Sequence, residues 1–302
     1  MIDYSKFVEN SRKWLSNYIK DNRLQSLVIG ISGGIDSTVS CAISYPVCKE
    51  LGIPLIGRSL PTTTNKPDEN NAARLVGKAF CTDFKEVNIS AECQKLIYEL
   101  ELNEGDMNRL QEGNIKARVR MIYLRHIAAL HKGVVLDNDN FTEWNLGFWT
   151  VGGDSPMDIN LGLHYLWKTE VYELAKYLID ECQHNAALDS NKYEVDINGI
   201  WWPKMVALKD SMNLTPTDGN GVMSGGDCAQ FGLDNYSQVD DVLKTMYYYS
   251  FTFENKDKHK EEYIRLIDSY NEQGVDKVMV LHQNTGYKRI PAPIKPTKDE
   301  LF

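Results

Sequence analysis

The sequence predicts an α/β fold, a doubly wound, Rossmann-like parallel sheet with helices on both faces. Two observations predict it. Short apolar segments alternate with helical segments through the first half of the chain, which is typical of βαβ units around a buried parallel sheet. A glycine-rich turn also follows directly after the first predicted strand, at the edge where open α/β sheets bind ligands.

The predicted elements follow one another in a regular order. The first 20 residues predict an amphipathic surface helix, because Phe7, Leu15, Ile19 and their apolar neighbours recur at helical spacing. Short β-branched or apolar runs predict strands at 26–31, 53–56, 84–89 and 133–136. Apolar residues at intervals of three and four predict helices at 36–51, 68–80, a segment ending near 100, 114–131, 168–180, 239–248 and 261–270.

The pattern weakens after residue 180. The stretch 181–214 is polar apart from a Trp-Trp-Pro cluster, and 215–232 is rich in Gly, Asp, Asn and Ser, which predicts a mobile loop. We find no repeat and no composition break that divides the chain. We therefore expect one domain over 1–302, with an insertion at about 182–212.

Composition and charge narrow the class of protein. The 302 residues carry 33 Lys+Arg against 42 Asp+Glu, a formal net charge of −9 that argues against nucleic-acid binding. The six cysteines form no CxxC pair, which predicts reduced thiols in a reducing, cytoplasmic compartment. No apolar run is long enough for a membrane span or a signal peptide, so we expect neither.

The most informative segment is the turn after the first strand, Gly30-Ile31-Ser32-Gly33-Gly34-Ile35-Asp36-Ser37-Thr38. A helix that begins there presents exposed backbone N–H groups and its positive end, which both favour an anion. The two glycines allow phosphate oxygens to approach the backbone, the hydroxyls add donors, and Asp36 offers Mg²⁺ a carboxylate. The alternative is a tight turn with serine as the N-cap. The whole string instead predicts a phosphate-binding loop.

This string resembles the SGGxDS pyrophosphate loop of the ATP pyrophosphatase superfamily, whose fold is that of the adenine nucleotide alpha hydrolases. The resemblance implies cleavage of ATP between the α- and β-phosphates and adenylation of a substrate oxygen. A nitrogen or sulfur nucleophile then displaces AMP. The loop alone leaves NAD synthetase, GMP synthetase, argininosuccinate and asparagine synthetases and tRNA-modifying enzymes open.

Residues 113–121 look like the GNIKARxRM helix of NAD synthetase. From the residues alone, Asn114 is a plausible N-cap, and the cations Lys116, Arg118 and Arg120 form either a solvated face or a phosphate contact. In the family this helix builds the dimer interface beside the deamido-NAD site. The resemblance thus implies that Asn114 and Arg118 bind deamido-NAD, and that the protein is a homodimer through the helix at about 114–131.

The segment 138–154 is similar to the family's segment after the fourth strand. The resemblance implies that Glu143 is the second Mg²⁺ carboxylate, the partner of Asp36, and that Asp154 belongs to the deamido-NAD site. Asn138 stands at an ATP contact where many members have threonine.

Three later segments continue the resemblance. Residues 166–174 match the family's L-x-K-T-x-V-x-x-L helix start, which implies that Lys168 contacts the ATP phosphates. Residues 216–218 match its P-[TS]-[AD] turn, with Thr217 at the pyrophosphate. In 285–289 the resemblance implies that Lys288 reaches the dinucleotide, although Tyr287 replaces the family's histidine. On the adenine side, Arg58 is displaced by one residue from its place in the family's R-L-P-Y-G string.

The matches run in order over nearly the whole chain and imply an ammonia-dependent NAD synthetase. Such an enzyme takes ATP, deamido-NAD and ammonia, with Mg²⁺ as cofactor. The resemblance implies catalytic roles for Asp36 and Lys168. The implied ATP and pyrophosphate site comprises Gly30, Ser32, Gly33, Gly34, Asp36, Ser37, Arg58, Asn138, Lys168 and Thr217. Glutamine-using relatives carry an additional amidohydrolase domain, for which we expect no room, so free ammonia or a separate subunit is the expected nitrogen source.

Two alternatives remain open from the sequence. One is another amidotransferase of the superfamily or a tRNA thiolase, although the acidic balance and the missing CxxC pair disfavour the thiolase. The other is a nucleotide-binding paralogue without catalysis, suggested by the departures at Asn138, Arg58 and Tyr287.

Overall fold

Five parallel strands form a sheet in the order β3-β2-β1-β4-β5. The structure is a computed structural model that describes residues 2–100, 106–192, 200–217, 226–289 and 295–301. The strands are β1 Ser26–Gly30, β2 Leu55–Ser59, β3 Asp83–Glu86, β4 Gly133–Asp137 and β5 Ile159–Asn160. Strand order reverses at β1, so the carboxyl ends of β1 and β4 lie side by side at the edge where such sheets bind ligands.

The helices cover both faces of this sheet, as the sequence predicts. Their bounds are α1 Tyr4–Asp21, α2 Ile35–Leu51, α3 Pro67–Phe80, α4 Ser90–Glu99, α5 Asp106–Leu130, α6 Phe141–Leu146, α7 Lys168–Lys192, α8 Trp201–Asn213, α9 Asp227–Phe231, α10 Tyr236–Tyr249, α11 Lys260–Ser269, α12 Glu272–Asn284 and α13 Lys298–Leu301. Short 3₁₀ helices lie at Leu163–Tyr165, Phe253–His259 and Gly286–Arg289.

Successive side chains of β1 pack into two different hydrophobic clusters, one on each face of the sheet. Leu27 and Ile29 are fully buried in the cluster that contains α1, α2 and α7 side chains. Val28 points the other way, into a cluster with Val119 and Leu124 of α5. Successive strand residues face opposite sides of a sheet, so a strand buried on both faces must be apolar throughout. A third cluster joins α6, α10 and α12 at the C-terminal part of the chain.

The bounds of several predicted elements are wrong. β2 lies two to three residues later than predicted, and β3 ends at Glu86 instead of residue 89. Helix α5 begins at Asp106, so the prediction that Asn114 is an N-cap is wrong. The apolar pattern is weak before Ile115, and Gly113 suggests a boundary, yet Gly113 is buried inside the helix. An interior glycine costs only about 1 kcal/mol, which tertiary packing overrides.

The polar stretch after residue 180 is helical in its described part. Helix α7 continues to Lys192, and α8 packs Met205, Ala207 and Leu208 into the core cluster. Trp201 is half-buried, whereas Trp202 is exposed. The prediction of a loop at 215–232 falls partly on 218–225, outside the described residues, and α9 occupies 227–231.

Two further expectations are tested by the described residues. All six cysteines are free thiols, as predicted. Within the described ranges, none of the helices combines the length and apolarity that crossing a bilayer requires.

Candidate active site

The turn between β1 and α2 has the geometry of an anion-binding loop. Helix α2 has Gly34 as its N-cap, and no side chain caps it. Gly33 has φ +88°, and a Cβ there would lie 2.5 Å from the carbonyl oxygen of Glu69 in α3. Glycine is therefore required at this position, both by the left-handed backbone and by the close approach of α3. The first turn of α2 keeps its backbone N–H groups for a ligand.

The hydroxyl groups of the loop are linked to one another. Ser32 Oγ accepts a hydrogen bond from the Gly34 N–H at 3.1 Å and lies 3.3 Å from Ser37 Oγ. Ser37 Oγ donates to the Gly34 carbonyl oxygen at 3.1 Å. Thr38 Oγ1 lies 2.7 Å from Ser211 Oγ of α8, which fixes that helix against the loop.

Three charged side chains meet beside the loop. Lys168 Nζ, at the start of α7, donates to Asp36 Oδ2 at 2.5 Å and to Glu143 Oε1 at 2.9 Å. Asn140 Nδ2 donates to Asp36 Oδ1 at 2.8 Å, and Asn140 also caps α6 in a reciprocal capping box with Glu143. The Lys168 ammonium lies 5.3 Å from the centre of the Tyr236 ring. The site is thus built from the starts of α2, α6 and α7.

Burial and charge set the protonation of this group. Lys168 is 3% exposed, and although burial alone lowers the pKa of a lysine, the Asp36 and Glu143 carboxylates hold its pKa well above the ordinary value. Burial and the adjacent Asp36 charge raise the pKa of Glu143 to about 7, because one ammonium cannot neutralise two partly buried carboxylates. The pair of carboxylates therefore carries an excess of negative charge.

The arrangement fits a hard divalent cation. The Asp36 and Glu143 oxygens converge on one positive group, the Lys168 ammonium. Carboxylate oxygens are the ligands that Mg²⁺ prefers. The donor set that the sequence predicts for Mg²⁺ is therefore brought together in space.

A cavity of about 270 Å³ lies in front of these groups. The predicted residues that line it are Gly30, Ser32, Gly34, Asp36, Ser37, Arg58, Asn138, Glu143, Asp154, Lys168 and Thr217. Gly33 instead lies behind the loop against α3. Residues distant in sequence thus share one cleft at the carboxyl edge of the sheet.

Three of the predicted ATP residues have partners or surroundings that the sequence does not reveal. The Arg58 guanidinium donates to Asp83 Oδ2 at 2.8 Å, and this hydrogen bond holds the pKa of the Asp83 carboxyl below its usual value. Thr217 Oγ1 donates to Glu69 Oε1 at 2.6 Å. Asn138 Oδ1 is buried without a hydrogen-bond partner among the described residues.

The four residues assigned to deamido-NAD meet around one loop, 147–154. Thr150 donates its hydroxyl to Asn114 Oδ1 at 2.8 Å and its N–H to Asp154 Oδ1 at 2.6 Å. Arg118 donates to the Val151 carbonyl oxygen at 3.3 Å. Lys288 Nζ donates to the carbonyl oxygens of Gly147 and Trp149 at 2.7 and 2.5 Å. This loop is therefore the common element of the second half of the site.

The cations of α5 do not share one face. Lys116 is buried, and Arg120 donates to the Leu60 carbonyl oxygen at 3.1 Å beside the cleft. Arg118 is exposed on the opposite side of the helix. Residues two apart on a helix point about 200° apart, so the three cannot form one phosphate-binding stripe.

Two site residues are missed by the sequence interpretation. Asn140 holds Asp36, and the Asn-x-x-Glu spacing of a capping box is a signal that could have indicated it. Glu69 accepts from Thr217 and lies in α3, where no pattern distinguishes it from a surface acid.

Known proteins resemble the chain over most of its length. The family model described as NAD synthase matches residues 7–292. The NH₃-dependent NAD(+) synthetase of Finegoldia magna is 34% identical over 178 residues, which cover 59% of this chain and 70% of that protein. Among solved structures, an NMN synthetase from Francisella tularensis gives a TM-score of 0.69 at 22% identity, covering 98% of this chain and 100% of that one. An NH₃-dependent NAD synthetase from Campylobacter jejuni gives a TM-score of 0.54 at 25% identity, covering 70% of this chain and 94% of that one.

Proposed function

Because this chain belongs to the NAD synthase family, we propose that it is an ammonia-dependent NAD synthetase, a ligase that uses ATP to amidate deamido-NAD. The observation that carries the proposal is the contact of Lys168 Nζ with both Asp36 and Glu143, directly beside an uncapped glycine loop. A cleft with these groups suits ATP, whose phosphates need N–H donors, a lysine and a metal at one place. The free thiols support the further proposal of a cytoplasmic location.

The reaction has two steps in which the substrates supply the nucleophiles. A nicotinate carboxylate oxygen of deamido-NAD attacks the α-phosphorus of ATP, and pyrophosphate leaves. Ammonia then attacks the carbonyl carbon of the mixed anhydride, AMP leaves with the former carboxylate oxygen, and the nitrogen loses a proton. The protein has to position the reactants and stabilise negative charge, for which it needs no nucleophile of its own.

Each part of the cleft has a role in this proposal. The loop N–H groups and the Ser32 and Ser37 hydroxyls would bind the pyrophosphate, and Lys168 would neutralise its charge. Asp36 and Glu143 would hold Mg²⁺, which when bound polarises phosphate oxygens. Asn140 keeps Asp36 oriented through its 2.8 Å hydrogen bond. Arg58, Asn138 and Thr217 would line the ATP site, although the bond to Asp83 leaves Arg58 less free for the nucleotide.

The deamido-NAD side would use the loop 147–154 and the residues around it. Lys288 is half-buried and lies 5.5 Å from the centre of the Trp149 ring. Burial lowers the pKa of Lys288 and raises that of Asp154. Arg118 lies on the exposed face of α5, so its contact with a substrate would be completed by a second copy of the chain. We therefore include a homodimer through α5 in the proposal.

The test is an assay of the protein with deamido-NAD, ATP, Mg²⁺ and ammonium. We expect equal amounts of NAD and AMP. Asp36→Asn should abolish pyrophosphate release while circular dichroism shows an intact fold. Consumption of ATP without formation of NAD would refute the substrate assignment, and nucleotide binding without any turnover would favour the paralogue.

A parallel reaction with nicotinic acid mononucleotide belongs to the same assay, because one neighbour of the fold is called an NMN synthetase. This mononucleotide carries the same carboxylate without the adenylate half. A higher kcat/KM with deamido-NAD is the expected result. A preference for the mononucleotide would support the proposed amidation reaction but refute deamido-NAD as the substrate.

A further inference from the structure

A second group of metal-ligand side chains lies beside the nucleotide cleft. Asp137 ends β4, Asp139 follows it, and His164 lies in the 3₁₀ helix after β5. One potential ligand atom from each of the three lies within 4.8 Å of the other two. Asp137 is 0% and His164 1% exposed. None of these residues belongs to the pair of carboxylates at Lys168.

Some of the polar atoms of this group have no hydrogen-bond partner in the protein. Both ring nitrogens of His164, and Oδ2 of Asp139, are buried without a hydrogen-bond partner among the described residues. His164 Nε2 lies 3.3 Å from Asp137 Oδ1, yet this contact lacks hydrogen-bond geometry. A buried polar atom without a partner costs about 1–3 kcal/mol. An ion bound by one of the His164 nitrogens and by Asp139 would give two of these three atoms a partner.

The charges indicate that this ligand is a cation. Asp139 lies near three further carboxylates, those of Asp137, Glu143 and Asp154. In the part of the chain that the structure describes, neither Asp137 nor Asp139 forms an ion pair with a lysine or an arginine. The Lys168 ammonium is shared by other carboxylates, and Lys288 donates to main-chain carbonyls. Buried charges are otherwise paired or coordinated to metals.

We propose that Asp137, Asp139 and His164 form a binding site for a divalent transition-metal ion, separate from the Mg²⁺ site at Asp36 and Glu143. The donor set decides the class of ion. Two carboxylates and one imidazole suit Mn²⁺, Fe²⁺ or Zn²⁺, whereas Mg²⁺ prefers oxygen ligands alone.

Hydrogen bonds orient the Asp137 carboxylate, as they do for carboxylates that bind metals. Ser155 Oγ and the Met157 N–H donate to Asp137 Oδ2 at 3.0 and 2.8 Å, while Asn160 Nδ2 donates to Oδ1 at 3.0 Å. The Trp144 ring lies against the His164 ring at 4.6 Å between centres and fixes its plane. Asp139 lines the nucleotide cleft, which gives an ion a path from solvent.

The test uses Mn²⁺ with the chelator-treated full-length protein and no nucleotide. We expect pulsed electron paramagnetic resonance to show coupling of bound Mn²⁺ to an imidazole nitrogen. His164→Gln should lose this coupling and weaken Mn²⁺ binding at least about tenfold. His282→Gln is the control, because His282 is half-buried and contacts the Asn145 carbonyl oxygen away from the cluster.

Two outcomes would overturn the proposal. One is Mn²⁺ that shows no nitrogen coupling in the wild type, and the other is coupling that persists in His164→Gln. If ammonium chloride stabilises the protein against heat while Mn²⁺ fails to show the coupling, the cluster holds a monovalent cation instead. Asp139→Asn should lower Mn²⁺ affinity as well, and it replaces His164→Gln if that variant does not fold. Because no substrate is present, failure here leaves the proposed amidation untouched.

Discussion

At the scale of residues, Gly33 and Gly52 show two different reasons why a position requires glycine: a left-handed backbone and a lack of space for a Cβ atom. Both have positive φ, +88° and +66°, but only Gly33 has neighbours within reach of an added Cβ. We expect Gly52→Ala to lower the free energy of unfolding by about 1–2 kcal/mol, the cost of the left-handed backbone. Gly33→Ala adds a clash with α3 and should cost at least about 2 kcal/mol more. It should also weaken ATP binding, which Gly52→Ala leaves unchanged.

Urea unfolding and ATP titration of both variants measure this difference. Equal losses of stability in the two variants would contradict the role of the α3 contact.

The proposal that Glu143 holds Mg²⁺ predicts that metal binding depends on pH near neutrality. Burial and the charge of Asp36 raise its pKa to about 7, so below that pH a proton must leave before Mg²⁺ binds. We expect Mg²⁺ affinity, measured by isothermal titration with ATP present, to fall about tenfold between pH 8 and pH 6. Glu143→Gln should bind Mg²⁺ weakly and without this dependence. The same affinity at both pH values in the wild type would contradict the assignment of Glu143 as a ligand.

The sequence predicts the charged centre better than its surroundings. Asp36 and Glu143 are assigned to one metal, and Lys168 to the ATP phosphates. Glu143 and Lys168 both lie more than 100 residues after Asp36, yet Lys168 contacts both carboxylates. The motifs follow strand ends, and the carboxyl ends of parallel strands meet at one edge. Asp83, the partner of Arg58, and Glu69, the partner of Thr217, could not be predicted. These two pairs depend on how β3 and α3 pack against the rest of the fold.

At the scale of elements, α8 shows why the polar stretch after residue 180 is misread. Its inner face buries Lys204, whose ammonium lies 4.3 Å from the Tyr45 ring centre and donates to the Ile200 carbonyl oxygen at 2.7 Å. A buried lysine breaks the apolar periodicity on which helix prediction depends. Helix α5 also begins earlier than predicted. The prediction is wrong because a glycine such as Gly113 is common at helix boundaries.

The buried Lys204 predicts a rise of stability at alkaline pH. Burial lowers its pKa to about 8, whereas an unfolded lysine titrates near 10.4. Between these values the unfolded chain binds more protons, so the free energy of unfolding rises with pH. We expect a rise of about 1–2 kcal/mol from pH 8 to pH 10 relative to Lys204→Met. Urea unfolding at both pH values measures it.

The exposed Lys209 on the same helix supplies the control. Lys209→Met should follow the wild type at both pH values. A parallel pH dependence in Lys204→Met and the wild type would show that the Lys204 amine is charged in the folded protein.

At the scale of the whole molecule, the net charge of −9 coexists with a few cations held at one cleft. Lys168 is buried among carboxylates, and Arg120 lies at the wall of the cleft. Arg118 points outward instead, next to an apolar surface of α5 and the loop 147–154. This surface consists of Ile122, one turn from Arg118 on α5, and Val151, which are 65% and 44% exposed.

The proposed homodimer through α5 can be tested at this surface. We expect the wild type to sediment as a dimer and Ile122→Glu as a monomer, since a charge in an apolar interface weakens association by about 100-fold or more. If Arg118 contacts the substrate only in the proposed dimer, the KM for deamido-NAD should also rise in Ile122→Glu. Ile264→Glu is the control, since Ile264 is 39% exposed on α11. A monomeric wild type with full activity would contradict both the dimer and the assignment of Arg118.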